Sequence, residues 1–326
     1  MTAATYSLKG EAAVHELWRH ALSAEQNIKY VDGLTKVGIS SDEPPAVKAA
    51  KYHYFTNIIG GLEMEYIEES DRKVWIRYRT PMWAYSGVAL IAMPERLRRT
   101  IFSVWHPRDG ILMGTKRLAF VATKFSLEGD PYDECYWEEV DRDLSPEEMM
   151  RYEVAVRTPE FDPDRAPRLD TELWPETRIL KARHKFSEGY VRATVDGLYT
   201  MFGALTTHHI VETAMRKLAI QITPELATLA GVTDRSVAGV ARLHQRLLVA
   251  TRRSTEVQWK DSNTAVLRVT DRRPFDMSYP SDLTRALFEF HRAATQMLNG
   301  HLSIEQRIEA DGSETWTLTD TGRWLW

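Results

Sequence analysis

The chain carries one order of elements twice, and that repetition limits its possible folds more than any other feature. Residues 46–79 lie on residues 237–270 without a gap, so that Ala50 meets Ala241, His53 meets His244, Glu65 meets Glu256 and Arg77 meets Arg268. A second block follows in the same order. Pro94, Leu97, Arg99 and Phe102 meet Pro280, Leu283, Arg285 and Phe288, and Glu128 and Asp130 meet Glu309 and Asp311. The offset falls from 191 to 186 to 181 positions, the pattern that short loop deletions leave. A solenoid needs about three or more stacked repeats. Two tandem copies of an α+β unit, each a helix-hairpin-helix-hairpin, packed as a pseudo-twofold body are therefore the expected architecture.

Local signals give the same order. Val14, Leu17, Trp18, Ala21 and Leu22 recur at helical spacing. A second helix, 46–59, opens after Pro44 and Pro45 and closes at Gly60 and Gly61. A hairpin turning at Glu69 to Arg72, a helix from Pro94 to about Trp105 and a hairpin turning at Gly129-Asp130-Pro131 complete the first unit, 1–144. Residues 145–185 hold five prolines and little periodicity, which predicts an irregular connector lying over the units. The second unit, 186–326, is expected to begin with a helix broken at Gly203 and to end on a docked Trp324, Leu325 and Trp326.

Composition excludes several classes. The net charge of -4 and pI near 6.2 leave no electrostatic footprint for nucleic acid, and Arg96, Arg98 and Arg99 read as a solvated helix face. With 43% hydrophobic and 27% charged residues the chain has the make-up of a folded globular protein. One cysteine, Cys135, forbids an intrachain disulfide and points to a reducing, cytoplasmic setting. No stretch has the roughly 20 apolar residues of a membrane span. A small-molecule ligand is the expected partner, nucleic acid and membrane are not, and a homodimer is left open.

Dinucleotide, P-loop, zincin, zinc-ribbon and hydrolase-elbow motifs are all absent. Histidines remain. His244 falls inside the stripe Val237, Val240, Ala241, Leu247 and Leu248, and His53 occupies the matching place beside Ala49, Ala50 and Thr56. His208 is in register with Val211, Met215 and Leu218, and His15 with Trp18 and Leu22. Imidazoles aimed inward serve as acid/base groups, metal ligands or substrate donors, or as core groups satisfied by backbone carbonyls. Glu212 follows His208 by one helical turn, so His208, Glu212 and His244 form the candidate catalytic set and equally the candidate ligands of a divalent metal.

The second unit combines these with His209, whereas the first offers His15 and His53, so the second is expected to hold the working pocket. Arg77 and Arg268 stand mid-strand among apolar residues; each either pairs internally with Glu65 or Glu256 or binds a substrate carboxylate, the role assigned to Arg268. Trp75, Trp83, Trp105 and Trp137 are suited to line an apolar pocket, and Trp105 and Trp137 together with His209 are the expected substrate contacts. Strand alternation places Cys135 and Trp137 on one face and Glu134 and Tyr136 on the other, and aromatic surroundings make Cys135 a packed, inert thiol.

Glu128-Gly129-Asp130-Pro131-Tyr132 and the aromatic strand after it, preceded by the hairpin with Val74 to Pro81, resemble the L-2-amino-thiazoline-4-carboxylic acid hydrolase-like proteins and the wider 4-vinyl-reductase-like ligand-binding domains. That resemblance implies small α+β domains enclosing an organic ligand, as ring-opening hydrolases or as sensors of aromatic compounds. The family's cysteine directly after the turn is displaced here by two positions to Cys135. The resulting expectation is a hydrolytic enzyme for a small aromatic or heterocyclic compound, the alternative a non-catalytic binding or sensor module.

Overall fold

The structure, a computed structural model, describes residues 1–79, 93–155, 157–270 and 280–325, without the side chains of 24–29 and 281. Trp83, proposed above for a pocket wall, and Trp326 lie outside the described residues. The fold is mixed α+β and divides into two compact units: Lys9–Gly197, called the first unit below, and Leu198–Trp326 with Met1–Leu8, called the second. No helix among the described residues is long and apolar enough to cross a membrane.

Helix α1 (Thr2–Lys9) leads into α2 (Glu11–Lys36), which opens the first unit. Helix α3 (Pro45–Gly60) begins with proline where no backbone donor is needed and stops at Gly61, whose left-handed φ of 95° turns the chain and lets Leu62 N–H reach Asn57 O at 2.9 Å. Strands β1 (Met64–Ser70) and β2 (Lys73–Tyr78) form the hairpin, followed by α4 (Leu97–Trp105) and the short α5 (Asp109–Leu112). Strands β3 (Leu118–Lys124), β4 (Asp133–Glu139) and β5 (Met150–Tyr152) complete a sheet ordered β1-β2-β4-β3-β5, antiparallel except for β3 and β5.

One face of this sheet carries Val74, Ile76, Tyr78, Phe120, Cys135 and Trp137 and packs with the buried side of α3. Ile67, Trp75, Val121 and Tyr136 lie on the opposite face, so the alternation read for Cys135 and Tyr136 is the one the strand adopts. Ala155 and Phe161 roof that second face. Arg77 reaches through it, donating to Glu134 at 2.6 Å, Glu65 at 2.9 Å and the Pro159 carbonyl at 2.6 Å. The expected connector thus folds with the first unit, where Arg77 pins it, and it is less irregular than its prolines suggested. It contributes β5 and the start of α6 (Glu176–Leu229), because Pro175 supplies the carbonyl that receives Arg178 N–H at the helix entry.

Helix α6 is broken at Gly203 (φ 72°, ψ 178°), as read from the sequence. After it come α7 (Val237–Ala250), capped by Ser236, then β6 (Thr255–Asp261), β7 (Thr264–Val269), α8 (Ser281–Leu298), β8 (Leu302–Ile308) and β9 (Glu314–Asp320). The second sheet is ordered β6-β7-β9-β8, antiparallel throughout. Its core face joins Ala265, Leu267, Trp316 and Leu318 to Val240 and Ala241 of α7. The other face is polar, with Thr315, Thr317 and Thr319 partly buried and Glu256, Gln258 and Arg268 exposed, the normal pattern for an antiparallel sheet wetted on one side. Trp324 is 69% exposed, so the expected docking of that residue does not occur.

Candidate functional site

Each unit buries a histidine-centred polar layer between its helices and its sheet. In the first unit α3 presents His53, 5% exposed, to the sheet. Its Nε2 lies 2.9 Å from Asp109 Oδ2, and the Trp137 indole N–H donates to the same oxygen at 3.2 Å. His53 stacks on His106 at 4.4 Å and on Trp137 at 5.0 Å, these two rings being 5.4 Å from each other, and His106 stacks in turn on Phe120 at 4.3 Å. His106 Nε2 meets the Tyr78 hydroxyl at 3.3 Å and its Nδ1 the Phe102 carbonyl at 3.3 Å.

Burial, then the neighbouring His53 and Arg98, hold the His106 pKa well below the ordinary imidazole value, so the ring is neutral at pH 7. Burial together with Asp109 pushes the Tyr30 phenol upward. Beneath the layer Arg98 and Asp133, both essentially inaccessible, stand 2.8 Å apart without the alignment of a hydrogen bond, while the Arg98 guanidinium rests on Tyr78 and Phe102.

The second unit has the corresponding layer with different partners. His244, fully buried on α7, places Nε2 2.8 Å from Thr295 Oγ1 and Nδ1 3.1 Å from His291 Nδ1, both partners on α8. Thr295 follows His291 by four residues, so both groups lie on one helix face. One imidazole must donate and the other accept across the Nδ1 pair, so the tautomers of the two rings are coupled to each other, and the His244 tautomer in turn sets whether Thr295 donates or accepts. Burial lowers the His244 pKa to about 4 and holds His291 well below its ordinary value, the latter helped by His244 and Arg253. Trp316, 4.4 Å from His291 and 6.2 Å from His244, and Phe288 wall the pair, and the Trp316 N–H donates to Glu314 at 2.7 Å.

The residues chosen from the sequence separate accordingly. His208 is partly exposed and pairs with Glu212 at 3.7 Å, because the buried stripe of its helix is Thr207, Ile210, Val211 and Ala214. Glu212 also approaches Arg216 and Arg292. Among the described residues no three histidine, cysteine or carboxylate groups assemble as a metal cluster, and this includes His208, Glu212 and His244. His209 is exposed. Arg268 is exposed too and meets Asp311 at 3.6 Å, because no segment among the described residues roofs its face as Pro159 roofs Arg77. Trp105 and Trp137 belong to the first unit and stand by His53, with Trp105 at 6.4 Å. His15 contacts Thr100 at 2.6 Å.

Cys135 is fully buried and its thiol pKa is pushed well up, chiefly by burial. His106, Asp109, His291 and Thr295 escaped the sequence reading. The matched sequence order contained part of the signal, since the 186 offset that pairs Phe102 with Phe288 also carries Asp109 onto Thr295.

No protein-family profile matches the chain. No curated protein matches it either. Among solved structures it is similar to an Fe(II) unliganded H-NOX protein mutant from K. algicida, with 11% identity, 40% of this chain and 71% of that chain covered, and a TM-score of 0.29. A likeness of that size fixes neither fold nor ligand.

Proposed function

We propose that the chain is a small-molecule binding module made of two duplicated α+β units, and that its ligand, a small aromatic or heterocyclic compound, lies against the histidine and aromatic layer of the second unit. One observation carries the duplication. His53 with Asp109 and His244 with Thr295 are joined through the same ring nitrogen at 2.9 and 2.8 Å, at positions that the repeat offsets match. Two sheets with the common order β1-β2-β4-β3 and β6-β7-β9-β8 support the duplication.

In the second unit His291 is partly exposed, and the only hydrogen bond of its ring among the described residues is through Nδ1, which leaves Nε2 to meet a ligand flanked by Phe288, Phe290 and Trp316. Binding is favoured over hydrolysis because the buried Cys135 thiol is not activated and His208 and His244 keep separate partners. The test is a titration of the full chain with indole, benzoate and 2-aminothiazoline-4-carboxylate, followed by Trp316 fluorescence and imidazole NMR. Saturable shifts at His291 without turnover are expected. Hydrolysis of the thiazoline that His244→Gln abolishes would overturn the reading.

A further inference from the structure

At the matched position that faces the helix-borne histidine, the first unit has the carboxylate Asp109 and the second the neutral Thr295. We infer that the second unit is an acid sensor whose ligand is the proton: mild acidity loosens it more than it loosens the first unit. This inference does not depend on the small-molecule reading.

A proton arriving at His53 finds Asp109 2.9 Å away as a counter-charge, so in the first layer only His106, bonded to the Tyr78 hydroxyl and the Phe102 carbonyl, is a ring that burial holds neutral, where the second layer has two. At the His244–His291 pair it finds a hydroxyl, and a proton on each ring would place two N–H groups at the 3.1 Å Nδ1 contact, where one lone pair is required. Among the described residues, the acidic groups on the elements packed against the pair already have partners. On α8, Glu289 accepts from Arg216 at 2.7 Å and Arg292 at 2.6 Å. On β9, Glu314 accepts from Trp316 and Gln306 and faces Arg253 at 3.7 Å. On α6, Glu212 meets His208, Arg216 and Arg292. Arg253, just past α7, opposes an imidazolium at His291. The full burial of His244 acts in the same direction.

Hydrogen exchange of the full chain between pH 7 and pH 4.5, corrected for intrinsic exchange rates, tests the inference. Protection of peptides from α7 and α8 is expected to fall up to about tenfold per pH unit per proton taken up, while peptides from α3 and β4 lose less. Thr295→Asp restores the counter-charge and is expected to retain protection in α7 at pH 5. Equal loss in both units, or a flat profile in α7 and α8, overturns the proposal. Should Thr295→Asp fail to fold, imidazole nitrogen shifts of the unaltered chain decide: both rings remaining neutral to about pH 5 support it, and either ring titrating near 6.5 overturns it.

Discussion

His53 Nε2 lies 2.9 Å from Asp109 Oδ2, inside a layer where Asp109 also receives the Trp137 indole N–H at 3.2 Å. The carboxylate is fully buried, so these donors stand in for the water it has lost. Asp109→Ala removes the acceptor and leaves two buried donors unpaired, at a cost of about 3 kcal/mol. Asp109→Asn keeps one acceptor oxygen and is expected to cost less. Urea denaturation followed by tryptophan fluorescence ranks the two, and equal midpoints for Asp109→Ala and the unaltered chain would show that the layer contributes nothing.

Arg98 and Asp133 are a buried pair 2.8 Å apart. Removing one partner strands a charge, so Arg98→Met alone is expected to destabilise by about 3–5 kcal/mol, while Arg98→Met with Asp133→Leu recovers much of that loss. A double-mutant cycle in urea measures the coupling. Additive losses would contradict it.

The Cys135 thiol is buried and its pKa raised, so the thiolate fraction at pH 8 is small and access requires opening of the sheet. Labelling with iodoacetamide is expected to be slow in the folded chain and rapid in urea. Comparable rates in both conditions would place Cys135 in an open site.

His208 and His244 sit in different environments, so their effects should not interact. His208→Ala removes only a partly exposed contact to Glu212 and is expected to cost less than about 1 kcal/mol. His244→Ala opens a buried cavity and leaves Thr295 unpaired, with an expected loss of about 2–4 kcal/mol. The double variant is expected to equal the sum within about 0.5 kcal/mol. A strong coupling in thermal or urea melts would rejoin the two residues into one site.

The pH dependence of stability has a definite sign at His244. Its folded pKa of about 4 lies below the ordinary 6.5, so the unfolded chain binds more protons between those values. The stabilisation from keeping this ring neutral is whole above about pH 6.5 and is lost as pH falls to about 4, a change of about 3 kcal/mol for this group. His244→Gln should flatten that part of the profile, measured by urea midpoints from pH 7 to pH 4.5. An unchanged slope would mean that other groups set it.

The sequence by itself determined the order of helices and hairpins, the break at Gly203, the opposite faces of Cys135 and Tyr136, and the inward aim of His53 and His244. These follow from periods of 3.6 and 2.0 and from turn residues, all of which act within a few positions of the chain. Only the tertiary structure decided what each inward group meets. Asp109 and His106 reach His53, and Thr295 and His291 reach His244, from elements about 50 positions away. Periodicity marked an apolar stripe on α6 but set it one position off, placing His208 inside when Thr207 is the buried neighbour and Leu218 is 36% exposed. Arg77 and Arg268 show the same limit. Their local sequences match, yet one is roofed at Pro159 and the other faces solvent, because burial is set by what packs across a face and not by the strand that presents it.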